Sequence, residues 1–183
     1  MNYKLLKLNI KVSLMKFFTN SKPQGEVNNF TAEKIRNPEI LVIFPAEDNL
    51  IEETMDCMSK VVSAHERNDS KFSFIIGKGS TSKVNFFNIW TKSFNINVIP
   101  IDIKKDKYII NSCKSIDKLK LKNFDIIINL NITFNPDIDI FIDKIKAKYK
   151  IGFVSKYSDL FYNIQVNWDE SKSRFKPMMN ILK

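Results

Sequence analysis

Apolar residues fall in this chain as short continuous runs, and the polar stretches between them carry helical periodicity. The clearest unit runs from Phe124 to Phe153. Phe124 to Leu130 reads as a strand buried on both faces, and Asn131 to Pro136 as a loop. Asp137 to about Ala147 reads as a helix burying Ile138, Phe141, Ile142 and Ile145, and Tyr149 to Phe153 as a second buried strand. The earlier chain shows the same alternation. Ile40 to Phe44, bounded by Pro38 and Pro45, is a third such strand. The helix after it is capped by Asp48 or Asn49, carries Glu52 and Glu53 in its first turn, and runs to about Ala64. It buries Leu50 or Ile51, with Met55, Met58, Val61 and Val62.

Phe72 to Gly77 and Asn97 to Ile101 complete the strand set, with a helix over about Lys83 to Ser93 between them. Tyr108 to Ile110 reads as a short edge segment, and Ser115 to Lys122 as either a short helix or an extended piece. Ile164 to Trp168 is a last extended segment, followed by a terminal helix capped by Ser171 and interrupted by Pro177. Strands alternating with helices predict an α/β fold of βαβ units on a mostly parallel sheet.

The ends of the chain refine this picture. Residues 1–20 hold Lys4, Lys7, Lys11 and Lys16 and no acid. Read as a helix, they place Leu5, Leu8, Val12 and Met15 on one stripe, a basic amphipathic helix that either docks on protein or lies on an anionic membrane surface. Residues 21–38 are polar and broken by Pro23, Gly25 and Pro38, which marks a linker. The folded domain is expected over 39–183. No apolar run is long enough to span a bilayer.

Composition narrows the chemistry. The chain has 183 residues and a formal net charge of +9, from 29 Lys and Arg against 20 Asp and Glu. That surplus favours anionic partners, but it is spread along the chain, and only Arg36, Arg67 and Arg174 could make bidentate contacts. Cys57 and Cys113 lie far apart with no CxxC, which suggests free thiols in a reducing compartment, with Cys57 in the core. His65, the sole histidine, is placed at the solvated end of a helix. No metal site or histidine-based triad is expected.

In a parallel sheet, ligands bind beyond the carboxyl ends of the strands. The loops there carry Glu47, Asp48, Asn49, Lys78, Asn131 and Lys156. Asp48 is the candidate general base, with a plain helix cap as its simpler role. Asn129, inside a buried strand, needs hydrogen-bond partners from a neighbouring loop or a pocket. The cluster from Gly77 to Thr81 lacks the spacing of a phosphate loop, and no dinucleotide fingerprint is present.

Ile40 to Ile43 with its loop and helix, Phe124 to Leu130, and Lys150 to Phe153 resemble in order and spacing the amino-terminal half of heptosyltransferases, glycosyltransferase family 9. Ser158 to Asn163 adds to the match, which covers about Glu39 to Asn163. The resemblance implies a Rossmann-like three-layer sandwich, one half of a GT-B glycosyltransferase, with Asp48 as catalytic base. It implies acceptor contacts from Glu47, Asn49, Lys78, Asn131 and Lys156, and no cofactor. The family's first loop carries Gly-Asp, where this chain has Pro45 to Leu50, with Leu50 near the aspartate position and Asp48 two residues early. The family's strand Asp is Asn129 here. The resemblance therefore implies an acceptor-side domain lacking its donor-binding domain and inactive alone. It would serve bacterial lipopolysaccharide or envelope-glycan assembly, in the cytoplasm or peripherally at the inner membrane face. Its partners would be a glycolipid acceptor or a separate donor domain. A non-catalytic Rossmann-like interaction domain and a lysine-rich nucleic-acid binder are the alternatives.

Overall fold

The computed structural model describes residues 35–65, 69–78, 94, 96–104, 108–110, 114–168 and 174–181. The basic helix expected over 1–20, the linker up to 34, the helix over 83–93, Cys113 and the Ser171 cap lie outside the described residues, as does the phosphate-loop-like cluster beyond Lys78.

Six parallel strands form one sheet: β1 (Glu39–Ile43), β2 (Lys71–Gly77), β3 (Asn97–Ile101), β4 (Asn123–Asn129), β5 (Lys146–Phe153) and β6 (Ile164–Val166). Their order is β3-β2-β1-β4-β5-β6. β1 is central, with Ile40 opposite Phe72 on one side and Ile126 on the other. Its continuous apolar run is what this position demands, because alternate side chains enter opposite cores. Ile40, Val42 and Phe44 join one core, and Leu41 and Ile43 the other.

The first core is covered by α1 (Ile51–His65), whose buried residues follow a helical stripe, and by α4 (Lys176–Ile181) through Met178 and Met179. The second is covered by α2 (Lys114–Lys120) and α3 (Pro136–Asp143). Ile116, Leu119, Ile138, Phe141 and Ile142 supply its helical side. Ile127 is fully buried at the middle of β4. Ile127→Ala is expected to cost about 2–5 kcal/mol in chemical denaturation, from lost burial plus the cavity left between sheet and helices.

Several expectations change. α3 ends at Asp143, not Ala147, and β5 starts at Lys146, not Tyr149. From Lys144 to Lys150 lysine alternates with apolar residues, a strand period, and Lys146 pairs with Asn123 at the start of β4. Ile145 is buried as expected, but from the turn joining helix to strand. His65 is buried, not solvated: it closes the apolar stripe of α1, lies within hydrogen-bond distance of Ser70 Oγ at 3.3 Å, and meets the Phe72 ring edge-on. Cys57 is only half-buried, at the border of the first core. Ser115 to Lys120 is helical. Pro177 sits in the first turn of α4 and so opens that helix instead of breaking it.

Candidate functional site

The chain builds β1, β2 and β3 outward on one side, then returns to lay β4 on the other side of β1. That reversal puts a switch point at the carboxyl ends of β1 and β4, where such sheets take ligands. Two loops meet there, residues 44–47 after β1 and 130–135 after β4.

Backbone pairing continues past both strands. Phe44 N–H donates to Ile75 O, and Leu130 N–H to Ile43 O, each at 2.9 Å. Asn131 then clasps the first loop. Its Oδ1 accepts from Ala46 N–H at 3.0 Å, and its Nδ2 donates to Phe44 O at 3.3 Å and to Asn129 Oδ1 at 2.6 Å. Tyr108 donates its hydroxyl to the same Phe44 carbonyl at 2.7 Å. Burial, with the Glu47 carboxylate adding to it, holds the Tyr108 phenol far above its ordinary range.

Asn129 links this clasp to a second group. Its Nδ2 donates to Asp139 Oδ1 at 3.2 Å and to Tyr162 Oη at 2.6 Å. Tyr162 in turn donates to Asp139 Oδ1, and Asn135 N–H donates to Asp139 Oδ2 at 2.9 Å. Burial raises the Asp139 carboxyl to about 6. Hydrogen bonds from Tyr162, Asn135 and Asn129 oppose that rise without cancelling it. Tyr162 is pushed up by burial and by Asp139. All three hydrogen bonds that the Asp139 carboxylate accepts are internal, so it positions Tyr162 and the loop after β4.

The six candidate residues all lie at this carboxyl edge. Asp48 and Asn49 are exposed in a 3-10 turn, Asp48–Leu50, that leads into α1. Glu47 is the N-cap of that turn but makes no side-chain cap bond, and its Oε1 accepts from Thr133 Oγ1 at 3.1 Å. Asn131 is buried, with its amide engaged as above. Lys78, just after β2, pairs with Asp102 at 3.0 Å, both exposed. Lys156 follows β5, its Nζ 5.1 Å from the centre of the Tyr157 ring. The structure thus brings Glu47, Asp48, Asn49 and Asn131 together, with Lys78 and Lys156 on neighbouring strand ends.

Sequence reasoning missed Asp139, Tyr162 and Asn135. Asp139 is one of two acids in the first turn of α3, with Asp137, and was assigned no role from the sequence. A usable signal was its placement one residue after Ile138, on the side of the helix shared with Asn135 and Ile142. Among the described residues no group of three or more His, Cys, Asp or Glu side chains could hold a metal ion. No described helix is long and apolar enough to cross a membrane.

No family model and no curated protein matches the chain. Among solved structures, E. coli heptosyltransferase WaaC with ADP is similar, with a TM-score of 0.56 and 14% sequence identity over 79% of this chain. The match covers 45% of that enzyme, so the chain spans less than half its length. At that identity the likeness speaks for the fold. An α/β fold with a six-stranded parallel sheet, resembling one half of a GT-B heptosyltransferase, is what Ile40 to Ile43, Phe124 to Leu130 and Lys150 to Phe153 led us to expect.

Proposed function

We propose that the chain is the acceptor-side domain of a heptosyltransferase-like glycosyltransferase, serving lipopolysaccharide or envelope-glycan assembly and not transferring sugar by itself. The observation that carries the reading is the sheet order β3-β2-β1-β4-β5-β6, in a fold similar to half of WaaC. Polar residues at the carboxyl edge support it. Asp48 offers an exposed carboxylate after the central strand, suited to take a proton from an acceptor hydroxyl. Lys78 and Lys156 are exposed cations on either flank, suited to a phosphorylated glycolipid. Sugar transfer in this reading needs a donor held opposite the edge. Contact of residues 1–20 with the inner membrane face belongs to the same proposal.

Purified 183-residue chain mixed with ADP-heptose and lipopolysaccharide lacking heptose is expected to yield no heptosylated product by mass spectrometry. Vesicles carrying that acceptor are expected to retain the protein better than vesicles without it. Turnover would overturn the claim of inactivity, and equal retention would overturn the acceptor-side reading. One observation favours a non-catalytic interaction domain as the second reading: the amides of Asn129 and Asn131 are engaged internally, with each other, with Asp139 and Tyr162, and with the loop after β1.

A further inference from the structure

Buried polar atoms in folded proteins are nearly always hydrogen-bonded. Among the described residues, three buried side-chain atoms have no partner: Glu47 Oε2 and both Oδ1 and Nδ2 of Asn135. Both residues flank the switch point. Asn135 is 3% exposed and is the N-cap of α3, where an Asn side chain ordinarily accepts a helix N–H. Here it makes no cap bond. Its backbone is pinned instead, with N–H donated to Asp139 Oδ2 and the carbonyl accepting Asp139 N–H, each at 2.9 Å. Thr133, two residues earlier on the same loop, binds Glu47 Oε1. Phe134 between them is half-buried, its ring 5.0 Å from that of Tyr157.

We infer that Asn135 and Glu47 form a subsite for the adjacent hydroxyls of a neutral sugar ring, beside the Phe134 and Tyr157 rings. The inference rests on the acceptor-side reading and names what binds there. The unmet groups are two acceptors and an amide nitrogen that only donates. Adjacent hydroxyls both donate and accept, so they meet all three. An anion would face the Glu47 carboxylate, and a cation would leave Nδ2 unmet. Apolar rings beside a few placed polar groups are the usual make-up of a small-molecule site.

The test follows the backbone amides of Thr133, Phe134 and Asp137, and the Asn135 side-chain amide where it is present, by NMR while the full chain is titrated with methyl α-D-mannopyranoside. Saturable shifts at millimolar sugar are expected, weakened at least fivefold in Asn135→Ala and in Glu47→Gln. The exposed Lys122, at the opposite end of β4, serves as control, and Lys122→Ala is expected to bind normally. Asn135→Ala breaks no side-chain bond, so its Tm is expected to hold or rise. A fall in Tm would mark a structural role and overturn the subsite. So would equal affinity in Asn135→Ala, inorganic phosphate shifting these amides in place of sugar, or a bound water at Asn135 that sugar does not displace. Loss of the sugar shifts with acceptor vesicles still retaining the protein removes the subsite alone. Loss of both removes the acceptor-side reading.

Discussion

Gly152→Ala is expected to destabilise the protein by about 3 kcal/mol, by forcing a carbon into an occupied place. A Cβ at Gly152 would lie 2.7 Å from Cε1 and Cζ of Tyr162 and 2.8 Å from its Cδ1. Neither side can give cheaply. Gly152 is in β5 with β6 on one edge, Ile151 opposite Ile164 and Phe153 opposite Val166, while β4 pairs along the other. The Tyr162 ring is anchored by its hydroxyl, which donates to Asp139 and accepts from Asn129. The strand pairing or the buried network must therefore yield. Urea denaturation of Gly152→Ala, Tyr162→Ala and the double variant measures this. If the ring is the obstacle, the added methyl costs little once Tyr162 is gone. An equal cost in both backgrounds would show that the clash lies elsewhere.

Stability is expected to fall as pH rises from about 4 to about 6, because of Asp139. Its carboxyl has a pKa of about 6 in the fold against an ordinary value of 3.8. Below about 4 both folded and unfolded chains hold the proton. Between the two values the unfolded chain releases it while the folded chain keeps it, so ionisation favours unfolding. Above about 6 both are ionised, and the loss levels off on the order of 3 kcal/mol. The Asp139→Asn variant cannot ionise and is expected to lack this slope, although Asn in place of the carboxylate meets the Asn135 N–H less well. Denaturation midpoints at half-unit pH steps would decide. A slope that survives in Asp139→Asn would assign the pH dependence to other groups.

The contrast between what could be read from the chain and what could not follows from the range of the interactions. Ile40 to Phe44, Phe124 to Asn129 and the stripe from Met55 to Val62 are local patterns, and local patterns report burial. The end of α3 was misplaced because Ile145 satisfies a helical and a strand period alike. The position of Asn131 on the carboxyl edge was visible, but its clasp on Ala46 joins residues 85 apart. The Asn129–Tyr162 bond spans 33. No spacing rule announces such partners, so Asp139 drew no assignment. Gly152 read as part of a motif, and only the Tyr162 ring packed on it shows why a side chain is excluded there.

The clasp between Asn131 and the loop after β1 also sets a timetable for synthesis. β1 gains β2 soon after it is made, but its other edge waits for β4. At ~5–20 residues per second, translation leaves that apolar edge unpaired for roughly several seconds after β2 is complete. The nascent chain is most open to wrong pairing in that interval, and the loop carrying Glu47 and Asp48 stays unclasped until Asn131 has been made.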